Sequence, residues 1–393
     1  MSDPQVPFGN YQYEIYLEGL AGKLLDLPTS YAGLEAKARE RLSDEAFGYV
    51  AGGAGEEITV RSNREAFDRW RIVPRMLVDV RERDLRTTVL GTEMPAPVML
   101  APIGVTSIVH DDAERAVARA ARELGLTMIL SNAASTTMED VAQELGDSPR
   151  WFQLYWPTNN ELAASFVQRA QDAGYSAIVV TLDTRILAWR PRDLARGYLP
   201  FLKGEGVANY FQDPVFRAGL DKPPEDDPQA AVGLWATLFS NPGLSWDDLA
   251  FLQAHTDLPI LLKGVLHPDD ARRAVEAGVD GLIVSNHGGR QIDGSLAALE
   301  ALPEVVEAVP DELPVLFDSG IRTGADVVKA LALGARAVLV GRPYVWGLGL
   351  GGEHGVRQVL RSLLADFDLT LALCGYTKPS DLGQHALRRS EAL

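Results

Sequence analysis

The chain has 393 residues, 46% of them hydrophobic, and carries 37 Lys plus Arg against 54 Asp plus Glu, a formal charge of −17. That balance argues against nucleic acid and against an anionic membrane surface as partners, because both would be repelled. An anionic small molecule would have to be caught by local cations, and the single cysteine, Cys374, leaves no intrachain disulfide and no cysteine-rich metal site. The segment Met1 to Asn10 has no basic stretch followed by an apolar core, and no uncharged apolar run of about 18 residues occurs, so a soluble, cytoplasmic protein is expected.

In chain order, residues 1–96 hold two helical patterns, Tyr31 to Val50 after Thr29-Ser30 and Val60 to Trp70, followed by a Pro- and Arg-rich approach to the first strand. This segment is expected to cover the remainder. Eight short apolar runs then recur: Pro97 to Ala101, Thr127 to Ser131, Trp151 to Tyr155, Ala177 to Leu182, Pro259 to Lys263, Gly281 to Val284, Pro314 to Phe317 and Ala337 to Val340. Helix formers at helical spacing fill Asp111 to Leu124, Thr137 to Leu145, Glu161 to Ala173, Asp269 to Ala277 and Gly324 to Leu333, and Gly125, Gly174, Gly278 and Gly334 read as helix C-caps. Alternating strands and helices in this number predict an α/β fold, a (β/α)8 TIM barrel over residues 97–376, with a C-terminal tail over 377–393. The connection after the fourth strand, Thr184 to Thr256, is oversized, with a Pro- and Asp-rich centre from Asp221 to Pro228; it reads as a lid, about 194–245, rather than a disordered insert.

Such barrels build their sites at the C-terminal ends of the strands. There the sequence places Gln153, Tyr155, Thr181, Asp183, Lys263, Ser285, His287, Arg290, Asp318 and Arg342. In the run Ser285-Asn286-His287-Gly288-Gly289-Arg290-Gln291, a histidine can take a proton near neutral pH and an arginine can clamp a carboxylate through two parallel bonds. A lone His-x-x-Arg would more often only satisfy nearby carbonyls; convergence of the other residues on one rim favours a site. The last two strands end in Asp318-Ser319-Gly320-Ile321-Arg322 and Gly341-Arg342-Pro343, glycine turns beside arginines that match a phosphate site and imply a phosphorylated cofactor. The run Gly347 to Gly352 satisfies G-x-G-x-x-G but follows the last strand rather than opening a βαβ unit, which argues against a nicotinamide site. The six histidines show no short paired spacing, so no metal is expected.

From about Tyr31 to Tyr376 the chain resembles the FMN-dependent L-2-hydroxy acid oxidase and dehydrogenase family. The resemblance rests on Gly48-Tyr49-Val50-Ala51-Gly52-Gly53, Gln153-Leu154-Tyr155, Thr181-Leu182-Asp183 with Arg190 beyond it, Lys263-Gly264, the His287 to Arg290 segment and the two phosphate turns. It implies that Arg290 and Tyr49 hold a substrate carboxylate with Arg190 as a second cation, that His287 is the base and Asp183 its partner, and that Tyr155 bonds the substrate oxygen. It further implies that Lys263 faces the N1 and O2 side of the flavin and that Gln153, Thr181 and Ser285 contact the ring or ribityl chain. Gly320, Arg322, Gly341 and Arg342 would hold the phosphate, with Pro102, Ile103, Gly104, Ser131 and Asp318 completing the cofactor contacts. Gly104 stands where many oxidases have alanine and is expected to leave the space of a methyl group at the ring face. Ser319 stands where relatives often carry a second glycine.

Within the family the chain is most similar to lactate 2-monooxygenase along Asp183 to Arg192 and in the following insertion. The resemblance therefore implies oxidation of a small L-2-hydroxy acid, L-lactate foremost, by FMN and dioxygen, with decarboxylation to acetate, carbon dioxide and water. Two alternatives stay open: an oxidase that releases the 2-oxo acid and hydrogen peroxide, and a barrel that only binds a phosphorylated ligand. Family members commonly assemble around fourfold axes, so a tetramer or octamer is implied.

Overall fold

Eight short parallel strands close into a barrel in the computed structural model, which describes residues 6–390. They are β1 (Val98–Leu100), β2 (Met128–Ser131), β3 (Arg150–Leu154), β4 (Ile178–Thr181), β5 (Ile260–Val265), β6 (Gly281–Val284), β7 (Val315–Phe317) and β8 (Val338–Val340). Each falls on one of the apolar runs predicted above, and β8 pairs back onto β1.

The runs are apolar throughout because both faces of every strand are buried. Met99, Ile129, Trp151, Val179, Leu261, Ile283, Leu316 and Leu339 form an inner cluster, while Leu100, Leu130, Phe152, Val180, Leu262, Leu282, Phe317 and Val340 belong to the outer one. Each large buried side chain contributes roughly 1.5–3 kcal/mol. A hairpin of Thr87–Val89 and Thr92–Met94 adds Val89 and Met94 to the inner cluster, and Thr92 accepts the indole N–H of Trp151 at 3.0 Å.

Helices Ala113–Leu124, Met138–Leu145, Asn160–Asp172, Pro268–Glu276, Ala298–Glu307, Gly324–Ala332 and Arg342–Leu373 follow the strands. Thr137, Asn159 and Thr323 cap three of them through their side chains, and Gly125 ends the first at φ 65°, where a side chain would be strained.

Several boundaries differ from the sequence expectation. Tyr31 to Val50 is not one helix but two, Tyr31–Arg41 and Asp44–Ala51, because Leu42 turns extended and the Ser43 hydroxyl caps the second by accepting from Ala46 N. The helix Ala298–Glu307 is outside the sequence expectation, because Pro303 interrupts its helical pattern. The run Gly347 to Gly352 lies in the helix from Arg342 to Leu373, which kinks at Gly351 and Gly352. Residues 387–389 pair antiparallel with Trp70–Ile72.

The connection after β4 is built from short helices, including Pro191–Leu194, Ala208–Phe211, Pro214–Ala218 and Pro228–Leu238. Buried Asp213 anchors it: the carboxylate caps Pro214–Ala218 and takes bonds from Ser165 at 2.8 Å and Arg169 at 3.0 Å on the helix after β3. Asp227 caps Pro228–Leu238, so the Pro- and Asp-rich centre is a turn leading into a helix.

The helix Ile58–Asp68 is pinned to the turn after β6 by a reciprocal amide pair. Asn63 Nδ2 donates to Asn286 Oδ1 at 2.8 Å and Asn286 Nδ2 to Asn63 Oδ1 at 2.7 Å, and both residues are buried. Asn63→Leu removes both bonds to the Asn286 side chain, which keeps only the Leu296 carbonyl and the Gly289 amide, and strands the buried Ala298 N–H that Asn63 Oδ1 accepts, at a cost of about 1–3 kcal/mol. The expected result is a urea midpoint clearly below wild type with the barrel's circular dichroism retained; an unchanged midpoint contradicts the role of the pair.

Candidate active site

The turn after β6 reverses through three consecutive left-handed residues, His287 at φ 59°, Gly288 at 64° and Gly289 at 78°. A Cβ on Gly289 would sit 2.7 Å from the backbone nitrogen of Val60, so glycine is required for the chain to pass there. The turn presents the imidazole to a cavity at the strands' C-terminal ends. Tyr49, Tyr155, Arg190, Lys263, His287, Arg290, Asp318, Gly320, Arg322, Gly341 and Arg342 all line it, with Pro102, Ile103 and Gly104 from the loop after β1. Asp183, Ser131, Gln153, Thr181 and Ser285 stand behind these groups and not on the wall itself.

His287 Nδ1 lies 2.8 Å from Asp183 Oδ1, and its Nε2 faces the Tyr155 hydroxyl at 3.4 Å. Donation from Nδ1 to the carboxylate leaves the lone pair on Nε2, directed to the cavity. Burial lowers the pKa of His287, with Asp183 opposing and Lys263 and Arg190 adding to the fall. Burial works the other way on Asp183, but His287, Lys263 and the Thr184 hydroxyl hold it at about 2. The pair therefore rests as neutral imidazole and carboxylate, and a proton arriving at Nε2 is stabilised by the charge behind it. Thr184, which bonds Asp183 Oδ1 at 3.0 Å, was not singled out from sequence, although its place beside Asp183 at a strand end was the available signal.

Arg290 is buried beside other cations. Burial, Arg190 and Arg342 push its pKa down to about 10. Its Nη1 donates to the carbonyls of Tyr49 and Gly52, and its guanidinium lies 4.9 Å from the centre of the Tyr49 ring. Nε and Nη2 make no hydrogen bond among the described residues, which leaves one edge of the fork for a ligand. Arg190 is held by the Arg290 carbonyl at 3.0 Å and Gln291 Oε1 at 2.5 Å. Two guanidiniums on one cavity wall repel each other, and a bound carboxylate relieves that repulsion.

Burial opposes the Lys263 ammonium, but Asp318 and Asp183 outweigh it and raise the pKa, so the lysine is charged. Its Nζ lies 3.1 Å from Asp318 and donates to Ser285 Oγ at 2.9 Å. In register around it, Thr181 pairs with Lys263, and Ser131 with Gln153, whose Oε1 accepts the Ser131 hydroxyl at 2.6 Å. Gln153 Nε2 and Thr181 Oγ1 are buried with no partner. Buried polar atoms without partners are costly, and a polar ligand that reached past the cavity wall to them would offset that cost.

At the other end the guanidinium of Arg322 stacks on Tyr31 at 3.9 Å, with no hydrogen bond among the described residues. Gly341 leads into the N-terminus of the helix Arg342–Leu373, an arrangement suited to a phosphate. Arg342 is more committed: its Nε, Nη1 and Nη2 donate to the carbonyls of Val50, Gly288 and Gly52 at 2.9, 3.0 and 3.0 Å. Two of its five N–H groups remain.

The expectation for Gly104 is overturned. A Cβ there would lie 2.4 Å from the Ala133 carbonyl oxygen, whereas the resemblance suggested an open space. The loop after β1 packs directly on that after β2, with Val105 N donating to the same oxygen at 3.0 Å, so glycine serves close backbone approach. Phe201 and Phe239, both from the connection after β4, also line the cavity and were not legible in the sequence. Loop aromatics carry no periodicity that separates lining from packing.

Residues 38–389 match the family model described as FMN-dependent dehydrogenase. The FMN-dependent alpha-hydroxy acid dehydrogenase qulF of Penicillium citrinum is 45% identical over 390 residues, covering 98% of this chain and 97% of that protein. An L-lactate oxidase of Lysinibacillus sphaericus is 42% identical over 367 residues, covering 93% and 94%. The crystal structure of mandelate oxidase superposes with a TM-score of 0.82 at 38% identity, over 93% of this chain and 99% of that one. Matched along most of its length and closed into the same barrel, the chain belongs to the FMN-dependent dehydrogenase family, with FMN as its cofactor and oxidation of 2-hydroxy acids as its chemistry.

Proposed function

We propose that the protein oxidises a small L-2-hydroxy acid, L-lactate in the first place, with dioxygen as the terminal acceptor, and that it decarboxylates the 2-oxo acid before releasing it. The observation that carries the first part is the convergence of the His287–Asp183 pair and the free edge of Arg290 on one cavity. Arg290 and Tyr49 hold the substrate carboxylate, with Arg190 as the second cation. Tyr155 bonds the substrate hydroxyl, and His287 Nε2 takes a proton from the substrate. Asp183 keeps the imidazole in the tautomer that exposes Nε2 and stabilises the imidazolium.

FMN, when bound, accepts the two electrons leaving the α-carbon and passes them to dioxygen. Lys263 would face the N1 and O2 side of the ring, where its charge would favour reduction. Gln153, Thr181, Ser285 and Ser131 would complete the ring and ribityl contacts, Pro102, Ile103 and Gly104 would pack on its face, and Asp318 holds Lys263. Arg322, Gly320, Gly341 and the remaining donors of Arg342 would take the phosphate.

The connection after β4 acts as the lid. Phe201 stacks on Trp235 at 4.7 Å and lies 5.7 Å from Phe239, which in turn lies 5.3 Å from Tyr155. These rings narrow the space beside the base, which suits a short aliphatic side chain. They also exclude water and slow release. A retained pyruvate then meets the hydrogen peroxide formed by reoxidation. Attack on the 2-oxo carbon breaks the bond to the carboxyl group and gives acetate, carbon dioxide and water. The second reading, release of pyruvate and peroxide, is favoured by the relatives named L-lactate oxidase. Measuring acetate, pyruvate and peroxide together in air, without catalase, separates them: excess acetate is expected, and stoichiometric pyruvate and peroxide reject the decarboxylating route.

His287→Gln is expected to keep FMN bound while slowing anaerobic flavin reduction by L-lactate at least ~100-fold. Since the histidine's pKa is lowered, the wild-type rate should hold its plateau to below pH 6.5 and fall only as the imidazole protonates. Asp183→Asn removes the charge that supports imidazolium, so the acid limb moves to still lower pH while the plateau drops. An acid limb centred above pH 6.5 counts against this assignment.

Arg290→Lys keeps the charge but loses the fork, and oxalate binding, followed by the flavin spectrum, should weaken by about tenfold or more. Equal affinity removes Arg290 from the clamp.

A further inference from the structure

Ser319, at the end of β7, has φ 81°, a left-handed conformation in which an L side chain is strained and glycine is not. The side chain must return something for that strain. Its hydroxyl makes three hydrogen bonds: Oγ accepts from Asn286 N at 3.2 Å and Gly288 N at 3.0 Å, and donates to Asp318 Oδ1 at 2.8 Å. The other oxygen of Asp318 faces Lys263 Nζ at 3.1 Å. Lys263 donates to Ser285 Oγ at 2.9 Å, and that oxygen accepts the backbone N–H of His287 at 3.0 Å. The hydroxyl thus closes a ring of contacts that runs from Lys263 through Asp318 and Ser319 to the turn bearing His287, and back through Ser285.

We propose that Ser319 is a positioning residue that couples the lysine beside the flavin to the base: donation to Asp318 draws that carboxylate's charge off Lys263, and acceptance from two amides fixes the His287 turn. The proposal rests on the reading that Lys263 faces the N1 and O2 side of the bound ring. Without the hydroxyl, Asp318 satisfies itself on Lys263 alone and cancels more of the lysine's field. The flavin becomes harder to reduce. At the same time the turn loses two of its restraints and the imidazole is less well placed, a loss to which proton transfer is sensitive.

Strain and positioning predict opposite results for one substitution. Ser319→Gly relieves the backbone but removes the hydroxyl, and Ser319→Ala removes the hydroxyl while keeping the strain. The holoenzymes are titrated against reference dyes for the flavin midpoint potential, reduced anaerobically by L-lactate, and the apoproteins are melted. Both variants should show a lower potential and a reduction rate down about tenfold, while Ser319→Gly, relieved of the backbone strain, melts above Ser319→Ala. A glycine variant with wild-type potential and rate overturns the proposal and leaves Ser319 as tolerated strain; this variant carries the test even if the alanine form does not fold. Lys263→Met is run beside them. A wild-type potential there overturns the placement of Lys263 and with it this proposal, whereas a lowered potential in Lys263→Met with none in Ser319→Gly sinks the role of Ser319 alone.

Discussion

Three successive left-handed residues at the end of β6 determine where everything else in the site can be. Holding His287, which has a side chain, at φ 59° costs about 1–3 kcal/mol, and the surroundings supply the compensation. Ser285 and Ser319 bond the amides of the turn, Asn286 caps it and ties it to Asn63, and its Gly288 carbonyl accepts from Arg342. The turn is therefore the meeting point of the barrel, the N-terminal cover and the last long helix. An imidazole placed on an unsupported loop would sample many positions; here its direction is fixed from four sides before any ligand arrives.

The second constraint is electrostatic. A chain with net charge −17 gathers Lys263, Arg190, Arg290, Arg322 and Arg342 on one cavity. Neutral oxygens, rather than carboxylates, hold three of the arginines: Arg190 on the Arg290 carbonyl and the Gln291 side chain, Arg290 on the carbonyls of Tyr49 and Gly52, Arg342 on those of Val50, Gly52 and Gly288. Carbonyls satisfy N–H groups without cancelling the charge, so the cavity stays positive and attractive to anions. Lys263, unlike those three arginines, has a carboxylate partner at close range, and Ser319 shares that carboxylate.

The N-terminal segment and the connection after β4 meet over this cavity. Arg192 pairs with Glu57 at 2.7 Å, Tyr198 packs edge-on to Tyr49, and Gly55 N donates to the Trp189 carbonyl at 3.0 Å. Both the tyrosine beside the arginine fork and the aromatic rings that line the cavity are thus positioned by elements outside the barrel strands, where they can vary without altering the strands.

Apolar runs spaced by helix-length segments determined the barrel in advance, because a strand buried on both faces must be apolar throughout and its helix must reach the next strand. The polar residues at strand ends were legible for the same reason: once the strands are placed, so are His287, Lys263, Asp183 and Arg290. Short-range signals failed where a local rule competed, as when Ser43 capped a new helix inside a continuous pattern and Pro303 concealed a helix. Tertiary structure alone decided the rest. That a methyl on Gly104 meets the Ala133 carbonyl, that Phe201 and Phe239 reach the cavity, and that Ser319 joins Asp318 to the turn of His287 are contacts between segments distant in sequence, and no local pattern encodes which of many sterically possible neighbours a side chain will meet.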